Sequence, residues 1–198
     1  MKLILSSCDF INENSKKVIL DNINGDIKKL KVLFVPPGKA TKRDLISGKY
    51  LDRLIEDGFN KDNIYILDYD NVLLSINLNI DLLYIGGGNT FQLIDRIRKT
   101  GFDKYIINYI KNGVIYIGGS AGAHLVSKNI EHVLYFDDNI SNVTNYNGLG
   151  LFDGILFCHY SKERELFYKI KKSEDKYNIY TLTNDQSMII VDDKITFY

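Results

Sequence analysis

Residues 114–125, Val-Ile-Tyr-Ile-Gly-Gly-Ser-Ala-Gly-Ala-His-Leu, constrain this chain more than any other stretch. Four β-favouring residues run into a glycine pair, a serine and a second pair of small residues, which reads as a buried strand turning sharply into a helix. The pattern Gly118-x-Ser120-x-Gly122 is that of a nucleophile elbow. A serine at the apex of such a turn has a strained backbone, and nearly bare neighbours two residues away avoid collision. The helix that follows turns the N–H of Ala121 toward an oxygen becoming negative, and its dipole favours that charge. A glycine-rich strand-to-helix turn is also the form of a phosphate cradle, but the Lys-Ser/Thr pair of a P-loop is absent.

The rest of the chain alternates in a way that suits an elbow. Residues 3–6, 31–35, 64–67 and 81–85 read as apolar strands, residues 15–24, 44–57, 90–97 and 103–111 as helices between them. Apolar strands alternating with amphipathic helices predict an α/β fold with a mostly parallel central sheet covered by helices on both faces. After the elbow, residues 131–135 and 155–160 read as strands, residues 162–172 as a charged helix, and residues 179–182, 187–191 and 194–198 as three more strands. Asp192-Asp193 suits a hairpin turn, which predicts an antiparallel edge. One domain over residues 1–198 is expected from the length.

Twenty-five basic and 25 acidic residues cancel, so the expected partner is a small molecule, with no field for nucleic acid or an anionic membrane. The first residues meet polar side chains too early for a signal peptide, and no apolar run reaches transmembrane length; a cytoplasmic location is expected. Cys8 and Cys158 are expected to be unpaired apolar fillers.

A serine hydroxyl needs a base, and the chain offers His124, His132 and His159. His124 lies one turn after Ser120 on the same helix and reads as a helix-face or core residue. His132 reads as solvated. His159 ends an apolar strand, which in a parallel sheet places it at the edge where ligands bind, and it is the candidate base. Asp137 and Asp138 fall between nucleophile and base, giving the order Ser, Asp, His; either is a candidate for the carboxylate that holds the imidazole, and both also suit a turn. A second oxyanion donor is expected from the loop Gly86-Gly87-Gly88, whose N–H groups can approach a substrate closely. Asn89 in the same segment is a candidate both for capping the next helix and for contacting substrate.

The blocks Ile85-Gly86-Gly87-Gly88-Asn89-Thr90-Phe91-Gln92-Leu93, Gly119-Ser120-Ala121-Gly122-Ala123 and Cys158-His159-Tyr160 together resemble the peptidase E family of serine peptidases. Fainter echoes at residues 3–7 and in Leu182-Thr183-Asn184-Asp185-Gln186 extend the likeness over nearly the whole chain, in the family's order. The resemblance implies a flavodoxin-like α/β fold similar to that of class I glutamine amidotransferases. It implies Ser120 as nucleophile, His159 as base, Asp137 as the best match to the family's acidic member, and Gly88 with Ala121 as oxyanion donors. The implied reaction is metal-free and cofactor-free hydrolysis of dipeptides or other short peptides after an N-terminal aspartate, by a monomer or homodimer. Arg164 is the nearest match to the family's aspartate-binding arginine, although the loop between Tyr160 and Arg164 is shorter than in the aspartyl dipeptidases. Another elbow-serine hydrolase, such as a β-aspartyl peptidase or an esterase, and a non-catalytic binder of an anionic metabolite are the alternative readings.

Overall fold

Residues alternate in the strands between two apolar layers, and this alternation fixes the architecture. In the computed structural model, which describes residues 1–198, Leu3 and Leu5 of β1 (Lys2–Ser6) join one core while Ile4 joins the other. The same division holds in β2 (Val32–Val35) and β4 (Leu82–Ile85), where Leu33, Val35, Leu83 and Ile85 face one layer and Val32, Phe34, Leu82 and Tyr84 the opposite one. A strand buried on both faces needs cover on both. On one side it comes from α4 (Thr90–Lys99) and α5 (Phe102–Lys111), and on the other from α1 (Glu13–Asn22) and α3 (Lys49–Asp57).

With β3 (Ile64–Ile66), β5 (Ile115–Gly119), β8 (Ser187–Val191) and β9 (Lys194–Phe197), the sheet has seven strands in the order β3-β2-β4-β5-β1-β8-β9. The first five are parallel, while β8 runs antiparallel to β1 and β9 antiparallel to β8. The expected antiparallel edge is therefore present. Its hairpin turns at Asp192 and Asp193, both at positive φ, 44° and 69°, as a tight two-residue turn requires. No helix is long and apolar enough to cross a membrane.

Three local readings are corrected. Residues 131–135 form a 3-10 helix instead of a strand, opened by the Asn129 side chain, which accepts the Glu131 N–H at 2.8 Å. The single helix expected over residues 44–57 is two, α2 (Lys42–Ile46) and α3, because Gly48 turns the chain at φ 79°. The strand before His159 shortens to β6 (Ile155–Phe157) and leaves the main sheet to pair, parallel, with β7 (Ile179–Thr181). Beside β1, on the side away from β5, the sheet continues with β8.

Candidate active site

β5 is the central strand, and Ser120 follows it directly, between the ends of β1 and β4. Ser120 sits at φ 48° and ψ −105°, a region costing a side-chain-bearing residue about 1–3 kcal/mol. Its neighbours explain how the turn closes. A Cβ on Gly122 would stand 2.1 Å from the Ile85 carbonyl oxygen, and one on Gly118 2.7 Å from the Tyr116 ring. Tyr116, wholly buried, donates its hydroxyl to the Gly122 carbonyl at 2.6 Å and ties the strand to α6 (Ala121–Leu125).

His159 reaches the elbow from the small sheet. Its Nε2 lies 3.0 Å from Ser120 Oγ. The loop that carries it is tied down by Ser7, whose hydroxyl accepts the His159 N–H at 2.9 Å and donates to the Leu182 carbonyl at 3.0 Å. Ser7 thus fastens the end of β1 to the loops after β6 and β7, and its own side chain is buried. His159 also takes positive φ, 54°, as does Asp9 at 43°; with Ser120, three strained side-chain-bearing residues border one cavity.

The group on the far nitrogen of His159 is Asn184. Its Oδ1 lies 2.7 Å from His159 Nδ1, in a turn closed by the Gln186 side chain on the Thr183 N–H. An amide oxygen there accepts Nδ1–H and leaves Nε2 bare toward Ser120, the tautomer a general base needs. Asp137 stands elsewhere. Its carboxylate accepts the Thr90 N–H at 2.8 Å and so closes the N-terminus of α4, where an anion satisfies an unpaired donor and the helix dipole. Asp138 reaches the same helix end through its backbone, accepting from Asn89 Nδ2 at 2.9 Å.

Asn89 is an N-cap, its Oδ1 accepting the Gln92 N–H at 2.9 Å while its Nδ2 donates to the Asp138 carbonyl. Gly88, at φ 132°, packs against Pro37, and Gly87 lies beside Ser120. The N–H groups of Gly88 and Ala121 donate to no other protein group. Arg164 lies apart: its guanidinium carbon is 4.0 Å from the centre of the Phe136 ring and Nη1 donates to the Cys158 carbonyl at 2.9 Å.

The remaining histidines are structural. His124 is buried with Nδ1 3.1 Å from the Thr90 hydroxyl, as a core reading expects. His132, expected in solvent, is buried and stacks on Phe157 at 4.5 Å between ring centres. Both cysteines are unpaired, and burial pushes the Cys158 thiol up to about 12, but Cys8 borders the cavity instead of filling a core. That cavity, about 290 Å³, is lined by Ser7, Cys8, Asp9, Arg53, Gly88, Ser120 and His159 among others.

Sequence reasoning passed over Ser7, Asn184, Asp9 and Arg53. A signal existed for Asn184, since the segment 182–186 carries part of the family likeness. For Arg53 there was none: it lies mid-helix, 67 positions from the nucleophile by number, and only the sheet order brings α3 near the elbow.

The model of peptidase family S51 matches residues 2–198. An uncharacterised peptidase of Listeria monocytogenes, Lmo0363, is 37% identical over 115 residues, which cover 56% of this chain and 56% of that protein. Peptidase E of a Nostoc species is 27% identical over 164 residues, 80% of this chain and 65% of that one. In both relatives the match spans less than two thirds of their own length. A solved structure of a candidate peptidase E protein from Listeria monocytogenes EGD-e superposes with a TM-score of 0.78 at 26% identity, covering 100% of this chain and 97% of that one. A peptidase from an acI-B1 actinobacterium, at 17% identity and a TM-score of 0.69, shares the fold.

Proposed function

The chain belongs to peptidase family S51, and from that premise we propose that it is a serine peptidase cutting dipeptides or other short peptides through an acyl-enzyme. The observation that carries this reading is the 3.0 Å contact of Ser120 Oγ with His159 Nε2 beside two uncommitted N–H groups. His159 takes the Ser120 proton as the oxygen attacks the scissile carbonyl, and Asn184 holds the ring in the needed tautomer. Charge developing on the carbonyl oxygen is met by Gly88 and Ala121, each such donor being worth about 10²–10³ in rate. His159 then gives its proton to the leaving amine, and water, deprotonated by the same nitrogen, releases the acid.

A cavity of about 290 Å³ has room for a short peptide. Dipeptides with an N-terminal aspartate are the proposed substrates. The test is a panel of Asp-Leu, Asn-Leu, Glu-Leu, Ala-Leu and an isoaspartyl dipeptide, with Ser120→Ala beside the wild type and a fluorophosphonate probe. Cleavage and labelling that vanish together in the variant support the reading; turnover that survives Ser120→Ala overturns it.

A further inference from the structure

Arg53, on α3, lines the same cavity as Ser120. Its Nη2 is spent on the protein, donating to Asp9 Oδ1 at 2.9 Å and to the Tyr84 hydroxyl at 2.8 Å. Nη1, with two hydrogens, donates to nothing in the protein, and the side chain keeps 32% of its surface exposed. Asp9 cannot be the binding group, because its carboxylate is 4% exposed and is held by Arg53. A Cβ on Gly119 would meet Asp9 Oδ2 at 2.3 Å, so the carboxylate is wedged beneath the elbow itself. Asp9 and Tyr84 therefore hold the guanidinium by Nη2 and leave Nη1 without a partner on a side chain that lines the cavity.

We propose, resting on the serine-peptidase reading above, that Arg53 is the specificity-determining residue by which this cavity selects substrates bearing a carboxylate. The position expected to supply that cation, Arg164, does not line this cavity: its guanidinium lies over Phe136 and its Nη1 donates to the Cys158 carbonyl. No lysine or second arginine lines the cavity, so Arg53 is its one cation. Asp57, whose Oδ2 lies 3.8 Å from Arg53 Nε with no hydrogen-bond partner of its own, tempers the positive charge. The carboxylate has two possible sources on a dipeptide, an acidic side chain on the acyl residue or the free C-terminus.

Titration calorimetry on Ser120→Ala, which binds without cleaving, separates them with Asp-Leu against Asn-Leu and Ala-Leu against its C-terminal amide. The charged member of at least one pair is expected to bind about tenfold or more tightly. The pair that separates identifies the source. Adding Arg53→Gln should bring the two members within about threefold of each other, and Asp57→Asn should widen their ratio. Because Arg53→Gln leaves Asp9 buried without its cation, Arg53→Met with Asp9→Asn repeats the test with both charges removed. Equal binding of charged and neutral members in Ser120→Ala, or a ratio that survives loss of Arg53 in a folded variant, overturns the proposal. Since binding needs no turnover, that failure is read separately from a failure of the cleavage panel.

Discussion

His159 donates its Nδ1–H to the side-chain oxygen of Asn184 across 2.7 Å, so an amide stands where a serine triad ordinarily carries a carboxylate. An amide can orient the ring but adds no negative charge to steady the imidazolium. Asn184→Ala is expected to lower kcat by about 10- to 100-fold with little change in KM, since only the transition state loses support. Asn184→Asp should recover activity and move the acid limb of the kcat/KM profile to higher pH, because a carboxylate favours the protonated ring. Steady-state kinetics between pH 5 and about 9 reads both effects. An unchanged kcat in Asn184→Ala would place the orienting group elsewhere.

Asp137 gives the opposite pattern. Its carboxylate closes the first turn of α4 through the Thr90 N–H, so Asp137→Ala should cost about 0.5–2 kcal/mol of stability, as loss of a helix cap does. Turnover per folded molecule should stay within about threefold of wild type, well short of what loss of a triad member does. Urea midpoints and kcat/KM on the same two preparations decide it. A hundredfold loss of kcat with full stability would return Asp137 to the triad.

What the sequence made legible follows from where each signal is stored. Ser120, the flanking glycines and the alternating strands before the elbow are local patterns, set by what each residue's immediate neighbours allow, and these appear where the spacing predicts. His159 was legible as the last residue of an apolar run, though its strand lies in the small sheet and not the large one. The contact of Asn184 with His159 was not legible, because proximity in three dimensions is set by Ser7 joining the loops after β1, β6 and β7. Chain order made Asp137 the better guess, and the α4 N-terminus claims it instead. Arg164 lies outside the cavity lining for a related reason: the 3-10 turn of residues 162–164 sets its guanidinium over Phe136.

Gly122 tests the elbow as packing. Its α-carbon faces the carbonyl of Ile85, and an added methyl carbon would stand 2.1 Å from that oxygen, with backbone on both sides of the clash and no flexible side chain to yield. Gly122→Ala should destabilise by about 3 kcal/mol or more and reduce soluble yield. Gly101→Ala is the control, because a Cβ there meets nothing within 4 Å and only its φ of 71° resists the change, at about 1 kcal/mol. Thermal melts of the two variants should differ widely; equal losses would mean that the elbow relaxes more freely than its contacts indicate.

The buried histidines make stability depend on pH. His132 donates Nε2–H to the Leu156 carbonyl at 2.9 Å, its Nδ1 has no partner, and burial holds its pKa at about 4 against the usual 6.5. Burial likewise drives His124 well below 6.5. Below pH 6.5 the unfolded chain takes up protons that the folded chain refuses, so stability is full above that pH and falls as pH drops toward 4. His132 alone accounts for a loss of about 3 kcal/mol by the lower end of that window. Urea midpoints should therefore decline between pH 7 and about 4.5, and His132→Gln, which keeps an amide donor for the Leu156 carbonyl without a titrating ring, should decline less steeply. Parallel slopes in wild type and His132→Gln would show that the proton is taken up without breaking the stack on Phe157.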